Sequence, residues 1–187
     1  TAINGGRDEN WSRCPWNQFC MNHSAAQYIG WMDENLEETE EALQDKRYVQ
    51  LYYRLEGNNG DLQADPTVYE TQYAHIKEPY IWGDKYFRGV DGRYTNVPVM
   101  RLAEAYLTRS ILRLKLGNSN GALTDINSVR TRAGLEPLSE VTEELIDKER
   151  LKELAFEGDH LFYNKALGAP IGPGDRENVS PITSPYD

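Results

Sequence analysis

The sequence predicts a mainly α fold, in which a helical hairpin and a third helix pack with a loop-rich segment that contains short strands. Two observations support this prediction. Beyond residue 96, apolar residues recur at helical spacing and single glycines separate the helical stretches. Before residue 95, short alternating or aromatic stretches are separated by turn residues. We therefore divide the chain into a loop-rich segment, 1–95, and a helical segment, 96–187, which we expect to form one incomplete domain.

In the loop-rich segment, three local patterns predict short elements. Asp33 is expected to cap a helix that runs toward Leu43, because apolar residues recur near helical spacing from residue 29 onward. Alternating apolar residues predict a strand over residues 48–55, and the Gly- and Asn-rich run after it predicts a turn. A second aromatic stretch, residues 80–87, is interrupted by Gly83.

The helical segment begins with two helices of similar length. Pro98 suits the first turn of the first helix, and Gly117 is expected to end it. The second helix then runs to Gly134, with apolar residues along one matching face. This hairpin resembles one tetratricopeptide-like unit. Because a single hairpin cannot bury both of its faces, we expect a further helical layer to cover side chains such as Leu102, Leu112 and Leu123.

A third helix is predicted from Thr142 through Phe156, ending at Gly158. It carries a charged cluster along one side, formed by Glu149, Arg150, Glu153 and Glu157. Such a cluster can belong to an active site or to a buried ion-pair network that holds the helix against its neighbours. The structural interpretation is favoured, and Arg150 is expected to be a structural residue.

The sequence lacks the common catalytic motifs. The chain contains no GxSxG, Walker, HExxH or GxGxxG motif, and its three histidines lack metal-ligand spacing. We therefore expect no catalytic residues, no metal and no cofactor. Asp61 and Asp65 depart from the EF-hand pattern, which leaves calcium a weak alternative. Cys14 and Cys20 are compatible with a small disulfide-closed loop or with two free thiols.

The composition is compatible with recognition of a polar ligand and argues against nucleic acid. Acidic residues outnumber basic ones by 30 to 20, so the net charge of −10 argues against a nucleic-acid partner. No apolar run approaches the roughly 20 residues of a membrane-spanning helix. Aromatic residues make up 11% of the chain, and their ring faces can stack on the apolar face of a sugar.

Aromatic and polar side chains lie close together in two places of the loop-rich segment. The candidate ligand-binding residues in these two places are Arg7, Trp11, Trp16 and Asn17, and then Tyr80 and Trp82. Loops held on a rigid scaffold are common positions for binding groups. Ordinary packing is the alternative interpretation for each aromatic ring.

Three segments of the helical part carry a resemblance to a known family. They read Val-Met-Arg-Leu-Ala-Glu-Ala-Tyr-Leu over 99–107, Asn-Ser-Val-Arg-Thr-Arg-Ala-Gly-Leu over 127–135 and Glu-Arg-Leu-Lys-Glu-Leu-Ala-Phe-Glu-Gly over 149–158. In order and spacing they resemble the C-terminal region of the SusD/RagB family. The resemblance is specific over 97–168 and looser over 29–96. The chain departs from the family pattern at His160, Tyr163 and Ala166, where the family commonly has Arg, Asp and Arg.

The resemblance implies a function without enzymatic activity. Members of this family are surface-exposed outer-membrane lipoproteins of Bacteroidetes that bind glycans or other nutrients over a SusC-like TonB-dependent transporter. By resemblance we expect binding of an oligosaccharide or similar nutrient, delivery to such a transporter, and membrane attachment only through a lipid anchor outside this chain. The alternative is a protein-docking helical module, or a peptide-capturing subunit of the same kind of uptake complex.

Overall fold

A computed structural model describes residues 20–55, 80–83 and 100–170. Most of these residues are helical, which confirms the mainly α prediction. Three short strands are β1 (Cys20–Met21), β2 (Tyr52–Leu55) and β3 (Tyr80–Gly83). The helices are α1 (His23–Tyr28), α2 (Glu40–Gln44), α3 (Lys46–Leu51), α4 (Leu102–Lys115), α5 (Ser119–Arg132), α6 (Glu143–Leu154) and α7 (Asp159–Leu167).

The predicted hairpin is formed by α4 and α5. Gly117 adopts a left-handed φ of 80° between the two helices, a conformation that glycine reaches without steric cost. The side chain of Asn118 then caps α5 by accepting the backbone N–H of Gly121 at 2.9 Å. Where the two helices contact, the hydroxyl of Ser110 donates to the carbonyl oxygen of Ala122 at 2.8 Å. Helix α4 begins at Leu102, later than Pro98 suggests.

The third predicted helix is shorter than its pattern indicates. Thr142 caps α6 as expected, but the helix ends at Leu154, with Ala155 in an extended conformation. Phe156 then adopts a left-handed φ of 65°, and its ring lies 5.9 Å from that of Tyr52. The remaining residues of the predicted helix therefore form a turn, after which α7 begins at Asp159. This additional helix was not predicted.

The helix predicted from Asp33 toward Leu43 is wrong. One carboxylate oxygen of Asp33 accepts the backbone N–H groups of Asn35 and Glu37, both at 2.8 Å, and this holds a turn instead of a helix. The next helix, α2, is capped by Thr39, whose hydroxyl also donates to the carbonyl oxygen of Gly30 at 2.6 Å. Asp33 therefore caps a turn, and the helix begins only at Glu40, after its own cap at Thr39.

The strand predicted over residues 48–55 is correct only in its second half. Residues 46–51 form α3, whose first turn is capped by Asp45 through the backbone N–H of Arg47 at 3.0 Å. Tyr48 and Tyr52 are buried at a spacing of four residues, whereas Val49 is exposed. The helical turn of α3 explains why Tyr48 is buried and Val49 is exposed, and alternating strand positions begin only at Tyr52.

Within residues 20–55, 80–83 and 100–170, the buried apolar side chains form two main clusters. The first surrounds Trp31 and includes α1, α3 and the sheet, and the second lies between α4, α5 and α6. The strands form one antiparallel sheet in the order β1-β3-β2. Leu102 and Leu112 are exposed and Leu123 is partly buried. The further helical layer that would cover them stays a prediction, as does the division at residue 95.

Candidate functional site

Two of the six predicted binding residues lie on a described element. Tyr80 and Trp82 belong to β3, the central strand of the sheet. The other four predicted binding residues, and the predicted calcium and thiol residues other than Cys20, lie outside the described residues: Arg7, Trp11, Trp16 and Asn17, with Cys14, Asp61 and Asp65.

The register of the sheet brings aromatic positions together. Trp82 is paired with Cys20 on one side and with Tyr53 on the other, and Tyr80 is paired with Leu55. Successive strand positions belong to opposite faces of a sheet, and paired positions share a face. Because Ile81 is buried in the first core cluster, positions 80, 82 and 53 belong to the face that does not contain Ile81. Three aromatic positions, two of them predicted for binding, thus share one face.

The charged cluster of α6 is a buried ion-pair network, as the sequence analysis favours. Arg47 of α3 lies at the centre of this network and is almost fully buried. Its guanidinium donates to Asp45 at 2.7 and 2.9 Å, to Glu149 at 2.7 Å and to Glu153 at 3.4 Å. Bidentate and charge-assisted hydrogen bonds of this kind join α3 to α6 across about one hundred residues of sequence.

Further arginines complete the network around Glu153. Its carboxylate accepts hydrogen bonds from Arg101 at 2.8 Å and from Arg132 at 2.6 Å, and Arg101 also donates to Glu157 at 2.7 Å. Carboxylates and guanidiniums alternate in this arrangement. The carboxylates of Glu149, Glu153 and Glu157, which could have formed the acid–base pair of an active site, are each hydrogen-bonded to arginine. The cluster therefore stabilises the packing of α6.

Arg150 contacts a different partner from the one that its position on α6 suggests. Its guanidinium donates to Asp159 at 2.6 and 2.7 Å and to the hydroxyl of Thr108 at 2.9 Å, and it lies over the ring of Tyr163. The carboxylates of Glu149, Glu153 and Glu157 are bonded to other arginines. The expected pairing of Arg150 with the carboxylates of its own helix is wrong, because Arg150 joins α6 to α4 and α7; its structural role stays a prediction.

The network makes stability depend on pH. Burial alone would raise the pKa of Glu153, but the hydrogen bond from Arg132 and the charges of Arg47 and Arg101 outweigh it and lower the pKa below the ordinary 4.5. The pKa of Asp45 is likewise lowered below its ordinary value of 3.8. Burial alone would raise it, but the hydrogen bonds and the charge of Arg47 outweigh the effect of burial. A carboxylate whose pKa is lower in the folded state stabilises the fold above its unfolded pKa and loses that contribution as the pH falls.

We therefore expect the contribution of Glu153 and Asp45 to the free energy of unfolding to be constant above about pH 5 and to decrease progressively below it. Urea unfolding at about pH 7 and about pH 3 measures this loss. The Glu153→Gln variant lacks one of the titrating groups, so its stability should change less between the two conditions. An equal loss in the variant and the parent chain would show that Glu153 does not contribute to the acid sensitivity.

A pocket between α1, α6 and α7 gathers polar groups that the sequence analysis did not select. One oxygen of Asp147 accepts the hydroxyl of Tyr28 at 2.9 Å, and the other lies 3.1 Å from Nε2 of His160. The amide of Asn164 lies 3.3 Å from Nδ1 of the same imidazole, and Tyr163 lines the pocket beside it. The spacing of four between His160 and Asn164 places both on one face of α7, but it does not reveal Asp147 or Tyr28 as neighbours.

The sequence of the chain matches that of a known protein family. A sequence model of the SusD family matches residues 25–163. The chain belongs to the SusD family. The resemblance carried by the three helical segments is thereby confirmed, and the hairpin of α4 and α5 lies within the matched region of this SusD-family chain. No curated protein sequence matches the chain significantly.

Solved structures of SusD-like proteins are similar to this SusD-family chain. Surface glycan-binding protein A from Bacteroides uniformis is 27% identical with a TM-score of 0.52, and the match covers 83% of this chain and 32% of that protein. A SusD-like protein from Bacteroides fragilis is 20% identical (TM-score 0.48, 89% and 34% covered), and a SusD superfamily protein from Parabacteroides distasonis is 16% identical (0.44, 79% and 38%). The chain thus spans about one third of the length of these proteins.

Membrane-spanning helices and clusters of metal-ligating side chains are both absent from the described residues of the SusD-family chain. Within residues 20–55, 80–83 and 100–170, no helix is both long and apolar enough to cross a membrane. The same residues contain no cluster of three or more His, Cys, Asp or Glu side chains arranged to hold a metal ion.

Proposed function

We propose that the protein binds a glycan or a similar nutrient at the bacterial cell surface, without chemically altering it. Membership of the SusD family, together with the likeness to a protein named as a surface glycan-binding protein, carries this proposal. Because the chain spans about one third of that protein, we propose only the class of ligand, a glycan or similar nutrient, and assign no particular sugar.

The aromatic positions of the sheet support this proposal. Tyr80, Trp82 and Tyr53 share one face of β3 and its neighbour, while the opposite face contributes to the core. Sugar rings offer a flat apolar face that stacks on Tyr and Trp, and loops attached to a sheet can add polar groups that set the orientation. We propose that Arg7, Trp11, Trp16 and Asn17 of the preceding loop-rich segment contribute to the same binding function.

Delivery of the bound nutrient to a TonB-dependent transporter is the second part of the proposal. Family membership supports it, as it supports a location at the outer membrane. A protein-docking role is also favoured by a specific observation, since Leu102, Leu112 and Leu116 of the hairpin expose large apolar side chains. Capture of a peptide in place of a glycan is the remaining alternative.

Substitution of Trp11 or Trp16 tests the binding proposal. Because ring stacking contributes on the order of 1–2 kcal/mol, Trp11→Ala or Trp16→Ala is expected to weaken glycan binding about tenfold and to leave the melting temperature nearly unchanged. Ligands are first identified on an array of plant, host and microbial glycans, and affinity is then measured by isothermal titration calorimetry. The affinity of Trp82→Ala is measured in parallel, to test whether the aromatic face of the sheet contributes to glycan binding.

The outcomes separate the alternatives. Unfolding of both loop variants, with normal binding by the residual folded fraction, would identify these rings as core residues and move the site to Tyr80 and Trp82. Absence of any glycan ligand would favour protein docking or peptide capture. Incubation of a bound glycan followed by product analysis tests the non-enzymatic role, and turnover that depends on one Asp or Glu would contradict it.

A further inference from the structure

The aromatic face of the sheet, formed by positions 53, 80 and 82, exists in only one register of β2. Position 53 is paired with position 82 on β3, and both lie on the face opposite to Ile81, which is buried in the first core cluster. Because successive side chains point to opposite faces, a slip of β2 by one residue would turn position 53 toward the core. The register of β2 therefore determines whether the aromatic face forms.

The residue types of β2 specify this register weakly. The strand has four residues and begins with two tyrosines, so a slip by one residue would place Tyr53 where Tyr52 stands, with no change of residue type. Position 54, which shares the core face with Tyr52, is an arginine. Within β2, Tyr52 is thus the one residue of aromatic or aliphatic type on the core face.

Tyr52 contacts the core at three points. Its side chain is almost fully buried, and its ring lies 4.9 Å from that of Trp31 and 5.9 Å from that of Phe156. Its hydroxyl donates to the carbonyl oxygen of Lys152 on α6 at 3.3 Å. The paired residue on β3 is Gly83, which has no side chain to occupy the same space. These contacts oppose withdrawal of the ring from the core, which a slip of β2 requires.

The start of β2 is also held through the helix before it. Helix α3 ends at Leu51 and β2 begins at Tyr52, so no loop separates them. Arg47 of α3 donates to Glu149 of α6 at 2.7 Å within the buried ion-pair network. Side chains that are locked by packing and by hydrogen bonds hold a functional surface more accurately than mobile ones do. The core therefore fixes Tyr52 from both its ring and its backbone.

We infer that Tyr52 is a positioning residue for ligand binding, because its ring fixes the register in which positions 53 and 82 lie side by side on the aromatic face. This inference rests on the proposed function, in which the aromatic face contacts the glycan. A surface that is ordered before the ligand arrives loses less conformational entropy on binding, so the register contributes to affinity without a contact between Tyr52 and the ligand.

Substitution of Tyr52 in the full chain tests this inference without a ligand. Cross-strand backbone NOEs between positions 53 and 82 report the register. Tyr52→Leu removes the ring but keeps an apolar residue, so Tyr53 is expected to take the core position. The 53–82 NOEs should then be lost and replaced by NOEs between positions 54 and 82. Tyr52→Phe keeps the ring and should retain the original register.

A matched control separates positioning from general destabilisation. Leu107 is fully buried in the second core cluster, so Leu107→Ala destabilises the fold without changing the cluster that contains Tyr52. This variant should retain the 53–82 NOEs. With the tightest-binding glycan from the array, Tyr52→Leu should weaken binding about tenfold, the effect expected when a stacking ring is lost. Tyr52→Phe and the folded fraction of Leu107→Ala should bind that glycan as the parent chain does.

Retention of the 53–82 NOEs in Tyr52→Leu would overturn the inference, as would their equal loss in Leu107→Ala. If Tyr52→Leu does not fold, hydrogen exchange in the parent chain decides the question. The amides of β2 should exchange as slowly as those of α3, because a slip requires the first core cluster to open. Much faster exchange in β2 would contradict the assignment. Absence of any glycan ligand would contradict the proposed function alone, since the register is measured without a ligand.

Discussion

Replacement of Arg47 by alanine is expected to lower the free energy of unfolding by about 3–5 kcal/mol. Arg47 is 5% exposed and donates to Asp45, Glu149 and Glu153. Its removal would leave Glu149 buried with one remaining arginine partner and Asp45 without its guanidinium. Because a typical domain is stable by only about 5–15 kcal/mol, a loss of this size would leave much of the protein unfolded at elevated temperature.

A matched variant separates burial from ion pairing. Arg132 bonds to Glu153 at 2.6 Å, closer than Arg47 does, but its side chain is 57% exposed. Since Glu153 keeps the hydrogen bonds from Arg101 and Arg47 when Arg132 is removed, Arg132→Ala should cost less than Arg47→Ala in spite of its shorter contact. Both variants are compared by urea unfolding at neutral pH. Equal losses would indicate that water reaches the network and that burial does not determine its strength.

The helical hairpin was predictable because its determinants are local. The apolar residues of α4 and α5 recur at helical spacing, and the boundary depends on Gly117, whose left-handed φ of 80° is one that glycine favours. The end of α6 was not predictable in this way. Phe156 adopts φ of 65°, which its residue type disfavours, and its ring contacts Tyr52 on a distant strand. Tertiary packing overrides the local preference there.

Long-range partners explain most of what the sequence could not predict. The carboxylates of α6 could be recognised as a network from their spacing, but Arg47 lies about one hundred residues away and nothing local connects it to Glu149. The pocket polar groups have the same difficulty, since Tyr28 and Asp147 are separated by 119 residues. Asp33 illustrates a different limit: its carboxylate can cap a turn as readily as a helix, because the hydrogen bonds involved are the same.

Replacement of Trp31 by alanine is the second substitution for which a large effect is expected, with a loss of about 3–5 kcal/mol. The side chain is fully buried, and its ring lies 5.3 Å from that of Tyr48 and 4.9 Å from that of Tyr52. Its indole N–H also points to Asp45, at 3.4 Å. The substitution would open a cavity in the first core cluster and remove a contact to the buried ion-pair network at once.

Two further variants separate these contributions in the same unfolding experiment. Trp31→Phe keeps an aromatic ring against Tyr48 and Tyr52 but cannot donate to Asp45, so it should cost less than Trp31→Ala if packing dominates. Leu43→Ala, at an exposed position of α2, should change stability by no more than about 0.5 kcal/mol. If Trp31→Phe is as damaging as Trp31→Ala, the bond to Asp45 contributes more than the ring contacts. The long distance of 3.4 Å argues for the opposite result, because a hydrogen bond near the limit of its range is weak.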